Sequence, residues 1–254
     1  KSMLITTIEN NIAIVQLNNG KVNAISHQLV KELKESFLSL TANPSVDGVI
    51  LTGHTGAFSA GLDVIEQAQM SEAATHAFWV DYYGALQAMV RYPKPFVCAI
   101  TGFAPAGGTI LTLCADYRIM AEEPKHVIGM HEFKLSMIVP ELMMDLWCYT
   151  LGEQKAFQAL QNAKLFSAQE ALEENIVQAI APADQVLGLA KKHLEKCLEV
   201  YAPVYIESKR LARKQLLALV DRDLDQMASE FVATGKDPEL KKRVQAFAAQ
   251  LKQK

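Results

Sequence analysis

The chain has 254 residues, half of them hydrophobic and 21% charged, with a formal net charge of -3. That length suits two small domains or one larger α/β domain with an appendage, and that apolar content can fill a sizeable core. The charge offers no strongly basic face for nucleic acid, and no uninterrupted apolar run reaches the ~18 residues of a membrane span.

The first half alternates strand-like and helix-like pieces. Ile12 to Leu17 reads as a strand, followed by an amphipathic helix over His27 to Leu40 with Ser26 as its N-cap. Asp47 to Thr52 is a short apolar strand, and a second helix covers Ala73 to Arg91, stopping before Pro93-Lys94-Pro95. Phe96 to Ile100, Tyr117 to Met120 and Val127-Ile128 read as further strands. Strands alternating with helices imply a largely parallel sheet with helices outside it. From Pro140 onward the pattern is mostly helical, over about 141–151, 153–162, 168–174, 184–198, 203–219, 221–233 and 237–251, with one strand near Val177 to Ala181. Cys98, Cys114, Cys148 and Cys197 are widely spaced without a CxxC pair, so free thiols fit better than disulfides or a zinc site. Lys1-Ser2 ahead of Met3 reads as a cloning remnant, and no signal-peptide pattern follows it.

Three segments are candidates to carry chemistry. Gly56 to Asp63 follows a strand and is rich in small residues, which suits either a tight turn or close approach of backbone to a ligand. Ala104-Pro105-Ala106-Gly107-Gly108 lies between a strand and the helix-like run Thr109 to Ala115, an arrangement that aims backbone N–H groups at an anion or oxyanion. It has neither GxGxxG nor GxxxxGK[ST] spacing. Glu132 closes the stretch Ile128-Gly129-Met130-His131-Glu132, where a lone glutamate reads equally as a surface charge. No Ser–His–Asp pattern is evident, and Ser59 and Ser136 lack a GxSxG frame.

In this order and spacing the three segments resemble the crotonase (enoyl-CoA hydratase/isomerase) superfamily, over most of the chain from Val22-Asn23-Ala24 onward. The resemblance implies an α/β fold: a crotonase-like spiral of ββα turns over residues 1–195, with a helical C-terminal region over 196–254 for oligomerisation and active-site cover. It implies that the backbone N–H groups of Leu62 and Gly107 hold a thioester oxygen. It also implies that the segment Lys21-Val22-Asn23-Ala24 and the Ser59-Ala60-Gly61-Leu62-Asp63 turn embrace the coenzyme A part of an acyl-CoA substrate, largely through backbone. Lys21, Lys209 and Arg213 are candidate phosphate contacts. Hydratases of the family carry two glutamates, one of them three residues after the oxyanion glycine; that position here is Ile110, and the other is Glu132. One carboxylate suits an allylic isomerisation better than addition of water.

Phe58 to Asp63, Pro105 to Gly108, Asp116 to Ile119 and Ile128-Gly129-x-x-Glu132 are closest to the family's delta-3,delta-2-enoyl-CoA isomerase branch of mitochondrial type. Departures from that branch are His131, Phe133 and Lys134 around the glutamate. His131 reads as a packed or surface histidine or as a tuner of Glu132, and an inward Lys134 would lower the basicity of Glu132. Glu141, after Pro140, is the alternative base. Phe78, Trp79, Tyr82, Tyr83, Met137, Met143, Met144 and Trp147 are candidates for an acyl tunnel or for core. The expected protein needs no metal or redox cofactor, forms trimers or hexamers, and works in a bacterial cytoplasm or a mitochondrial matrix. Hydration or thioester hydrolysis, non-catalytic acyl-CoA binding and a purely structural role are the other readings.

Overall fold

The computed structural model describes residues 2–251. In chain order its strands are β1 (Leu4–Glu9), β2 (Ile12–Leu17), β3 (Gly48–Thr52), β4 (Gly56–Ala57), β5 (Phe96–Ile100), β6 (Gly102–Pro105), β7 (Tyr117–Ala121), β8 (Val127–Gly129), β9 (Phe166–Ser167) and β10 (Ala179–Ala181). Its helices are α1 (His27–Ala42), α2 (Val64–Gln67), α3 (Glu72–Val90), α4 (Gly107–Leu113), α5 (Glu141–Leu151), α6 (Glu153–Gln161), α7 (Ala168–Glu173), α8 (Val186–Leu198), α9 (Ala202–Ala212), α10 (Lys214–Val220), α11 (Leu224–Thr234) and α12 (Pro238–Leu251), with a 3₁₀ turn at Glu132–Leu135.

A six-stranded sheet runs in the order β1-β2-β3-β5-β7-β10. Its first pair is an antiparallel hairpin turned at Asn10-Asn11, both with positive φ, as a two-residue hairpin demands; the other pairs are parallel. Both faces of its central strands are covered, which is why β3 and β5 read as unbroken apolar runs. Val15, Leu51, Cys98 and Met120 face the main core under α1 and α3, and Ile14, Ile50, Val97 and Ile119 face α8 through Val186, Ala190 and Leu194. Ser26 caps α1 by accepting from Leu29 N–H. A second sheet runs β4-β6-β8-β9, parallel except for its last pair. Each pass of the chain thus gives a strand to the large sheet, a strand to the small sheet, then a helix or turn: β3-β4-α2, β5-β6-α4, and β7-β8 with the 3₁₀ turn. This is the expected spiral of ββα turns. β4, β6 and β8 are parallel neighbours, so the segments that leave their carboxyl ends lie side by side.

The division expected between residues 195 and 196 falls inside α8. The helix expected over 203–219 breaks at Arg213, whose φ of -101 and ψ of 17 separate α9 from α10. Arg213 turns there to bind Asp116 and the Cys114 carbonyl. Lys209 places its Nζ 2.7 Å from Asp116 Oδ2 and 2.8 Å from the Lys94 carbonyl. Burial lowers the Lys209 ammonium to about 8, against the pull of Asp116. Both cations are therefore committed to fastening the C-terminal helices, which removes them as phosphate contacts. Asp116→Ala is expected to leave two buried cations without their carboxylate and to cost about 3 kcal/mol, read as a fall in the denaturation midpoint; an unchanged midpoint would refute the fastening role. All four cysteines are free, Cys98 and Cys114 buried, Cys148 and Cys197 partly so.

Candidate active site

The segment after β4 is sewn to the loop before α1. Asn23, buried and held at φ 48, donates from Nδ2 to the Phe58 carbonyl at 3.1 Å, while its own Oδ1 accepts from Asn19 N–H at 2.8 Å. Ser59 Oγ donates to the Asn23 carbonyl at 2.7 Å and accepts from Gly61 N–H at 3.2 Å. Ala60 N–H donates to the Val22 carbonyl at 2.8 Å, Ile25 N–H to the Gly61 carbonyl at 2.8 Å, and Asp63 N–H to the Ile25 carbonyl at 3.0 Å. Through this run Leu62 N–H alone meets no acceptor among the described residues. Asp63 spends its carboxylate capping α2, accepting from Glu66 N–H at 2.9 Å. Lys21 and Val22 are exposed at the edge of this loop.

The segment after β6 turns on Ala106, a non-glycine residue at φ 53 and ψ -124. This is a strained conformation, of the kind that clusters at functional sites. It is held because Ala106 N–H donates to the Gly129 carbonyl at 2.8 Å. Thr109 completes the clamp: its Oγ1 donates to the Ala104 carbonyl at 2.6 Å and accepts from Gly129 N–H at 2.8 Å. Gly107 opens α4, and its N–H also meets no acceptor among the described residues. The two turns touch. A Cβ built on Gly61, itself at φ +89, would lie 3.2 Å from Gly107 N, and one built on Gly108 would lie 2.5 Å from the Ser59 carbonyl oxygen. Leu62 and Gly107 thus present unpaired N–H groups from two turns in direct contact.

The segment after β8 delivers Glu132, at the start of the 3₁₀ turn rather than on a strand end. The residue is partly exposed, but its Oε2 is sealed and unpartnered among the described residues. Burial raises its carboxyl to about 7, against the pull of the Glu132 and His131 backbone amides. Phe133 and Lys134 are both exposed. Burial, and then Lys134, lowers the His131 imidazole below its usual value. Glu141 sits in the first turn of α5, exposed and ion-paired to Arg222 at 2.7 Å. Ile110 is buried in α4. Tyr82, buried on α3, reaches the Gly107 carbonyl at 3.4 Å, and its phenol is held well above its usual value by burial and by neighbours that include Glu132.

A cavity of about 400 Å³ begins at Leu62 and runs between α2, α3, α11 and α12. Trp79 and Met137 line it, whereas Phe78, Tyr82, Tyr83, Met143 and Trp147 are core and Met144 packs against that core. A larger cavity, about 570 Å³, opens beside Asp116, Tyr149 and Tyr205 and shares no residue with the three turns. Thr109 holds the site together without having stood out as a site residue in the sequence, whereas Asn23 lies in the loop expected to embrace coenzyme A and Tyr82 was among the acyl-tunnel candidates.

Two unpaired N–H donors, one carboxylate poised near neutrality and an adjoining apolar cavity can hold an oxygen that gains negative charge while a nearby C–H loses its proton. The sequence signature described as enoyl-CoA hydratase/isomerase matches residues 7–254. The mouse enoyl-CoA delta isomerase 1, mitochondrial, is 32% identical over 244 residues, 96% of this chain and 84% of that protein. A putative enoyl-CoA hydratase of Thermus thermophilus is 32% identical over 218 residues, 84% of this chain and 83% of that protein. The crystal structure of human mitochondrial delta3-delta2-enoyl-CoA isomerase superposes with a TM-score of 0.93 at 30% identity, covering 99% of this chain and 98% of that one.

Proposed function

This chain belongs to the enoyl-CoA hydratase/isomerase family, and we propose that within it the protein moves the double bond of a 3-enoyl-CoA into conjugation, as a 2-enoyl-CoA, during fatty-acid β-oxidation. The thioester oxygen takes the N–H groups of Leu62 and Gly107. Glu132, ionised, removes a proton from the α-carbon, and the electron pair spreads through the C=C bond onto that oxygen as a dienolate. The same carboxyl returns the proton to the γ-carbon, so that one base serves both transfers and no water enters the product. Each backbone donor stabilises the dienolate by about 3–4 kcal/mol. The reaction as drawn needs neither metal nor redox cofactor; coenzyme A is part of the substrate. Ser59, Ala60, Gly61, Asp63, Lys21 and Val22 are assigned to the coenzyme A side of the site, assembly to trimers or hexamers, and location to bacterial cytoplasm or mitochondrial matrix.

The observation that carries this reading is the half-buried carboxylate of Glu132, whose Oε2 is unpartnered among the described residues, with buried Ile110 where the resemblance puts the hydratases' second acid. Turnover of 3-enoyl-CoA to the conjugated thioester, followed by ultraviolet absorbance, tests it. Hydration is the second reading, favoured by the similarity to the Thermus protein named a putative hydratase; it requires water addition to a 2-enoyl-CoA, and an alcohol product in place of isomer would install it.

The reading also fixes a pH dependence. A base must be ionised to act, and the Glu132 carboxyl stands at about 7. The kcat/KM for 3-enoyl-CoA is therefore expected to rise with pH to half its plateau near pH 7, and to fall about tenfold per pH unit below that. A profile that stays flat down to pH 5 would remove Glu132 in this state from the reaction.

A further inference from the structure

The cavity that begins at Leu62 has a direction. Glu72, Thr75, Trp79 and Tyr82 recur at helical spacing and so share one face of α3. At the inner end of this face Tyr82 reaches the Gly107 carbonyl at 3.4 Å. Trp79, Thr75 and Glu72 then line the cavity in turn. Glu72 stands at the outer end, exposed and paired with Lys236 at 3.1 Å. From Tyr82 to Glu72 the helix runs about 15 Å, at about 1.5 Å per residue. The facing wall comes from the C-terminal helices. Phe231 on α11 sets its ring edge-on against Trp79, centroids 4.6 Å apart, and Leu240 and Val244 follow on α12.

The two threonines of these walls keep their hydroxyls occupied. Thr75 donates to the Ser71 carbonyl at 3.0 Å, and Thr234 to the Phe231 carbonyl at 2.7 Å. Such a corridor suits a plain hydrocarbon chain. An extended chain advances about 1.3 Å per methylene, from bonds of about 1.5 Å at tetrahedral angles, so the run along α3 takes roughly twelve carbons. The volume agrees: about 400 Å³ holds roughly a dozen groups the size of water, at about 30 Å³ each. We infer that the protein prefers straight acyl chains of medium length, up to about twelve carbons, and that Phe231 is the specificity-determining residue that grips them against Trp79. Trp79 lies about 4.5 Å along α3 from Tyr82, so a butanoyl chain stops short of the aromatic pair and longer chains pass it. Beyond Glu72 a chain enters water and gains nothing more. This rests on the acyl-CoA reading of the site and adds the class of acyl group to it.

Binding, rather than turnover, separates the two. The purified protein is titrated calorimetrically with saturated straight-chain acyl-CoAs from butanoyl to hexadecanoyl, kept below micelle-forming concentrations; none of them can isomerise. Affinity is expected to rise about twofold to fourfold with each methylene taken from water and to level off near dodecanoyl. Phe231→Ala is expected to leave butanoyl-CoA binding unchanged and to weaken decanoyl-CoA about tenfold. Thr75→Trp, at a half-buried position about 6 Å further out than Trp79, is expected to fill the outer half of the corridor and move the plateau inward to octanoyl. If the parent binds every chain alike, or its affinity keeps climbing through hexadecanoyl, the inference is wrong and the acyl-CoA reading survives. A Thr75→Trp protein with the parental plateau would show that the chain lies elsewhere, and the inference falls. Equal weakening of every ester by Phe231→Ala would leave that residue a structural role only, and its assignment falls too. Binding of none of them would take down the acyl-CoA reading together with this one.

Discussion

Glu132→Gln is expected to lower kcat for 3-enoyl-CoA isomerisation by about 10³–10⁴-fold while making the folded protein more stable at pH 8. The two effects share one cause. Burial favours the neutral acid and raises its folded pKa from 4.5 to about 7. A carboxyl shifted in that direction contributes stability that is fully present below about pH 4.5 and lost as pH rises through 7, because the folded state then holds a charge it has stripped of water. Glutamine keeps the shape and removes the charge. The gain above pH 7 is about 1–3 kcal/mol, or several degrees in Tm at about 2–4 °C per kcal/mol for a chain of this size. At pH 4 the two proteins should melt together. Glu141→Gln is the comparison: its carboxylate is exposed and paired with Arg222, so activity should stay near that of the parent. A silent Glu141→Gln protein beside an active Glu132→Gln protein would move the base to α5. Loss of activity without the stability gain would mean that Glu132 is not the buried charge described above.

Gly108→Ala is expected to cost about 10³-fold in kcat with a much smaller change in KM. The added methyl would lie 2.5 Å from the Ser59 carbonyl oxygen, a backbone atom that cannot rotate away. The turn bearing Leu62 and the turn bearing Gly107 must then part by roughly an ångström. Misplacing both donors removes stabilisation that exists only once charge has reached the oxygen, so the loss falls on kcat. Overpacking of this kind also costs about 1–3 kcal/mol of stability. Gly188→Ala, in α8 with nothing within 4 Å of the new methyl, is the matched control and should be fully active. If Gly108→Ala folds and retains parental kcat, the contact between the two turns does not position the donors.

The large sheet apart from β1, whose residues after Leu4 are exposed and carry no burial pattern, and the main helices were legible in the sequence because their patterns report burial directly. β3 and β5 are continuous apolar runs closed in on both faces, and Ser26 announces α1 through a cap that forms as expected. Of the small sheet only β8 was legible, from Val127-Ile128. β4 is Gly56-Ala57 and β6 runs from Gly102 to Pro105, residues of poor strand propensity that pair only because the neighbouring passes of the chain hold them together. Residues 203–219 look like one amphipathic helix, and the break at Arg213 is imposed by Asp116, about a hundred residues away. Of the site, glycines and a glutamate at recognisable spacing could be read, but the physical state of Glu132 could not. Its raised pKa comes from what surrounds it, and Lys134, a possible antagonist on paper, faces solvent.

The clamp made by Thr109 has a consequence for how the site comes into being. Its hydroxyl ties the end of β6, the start of α4 and the Gly129 backbone into one knot. Gly129 in turn holds Ala106 in its strained turn. The second donor is therefore set by a strand that follows it in the chain. A polypeptide threaded only as far as α4 already contains both donor turns, yet lacks what keeps Ala106 from relaxing. The donor geometry is closed by the pairing of β8 with β6, and the 3₁₀ turn that carries Glu132 follows β8 directly in the chain.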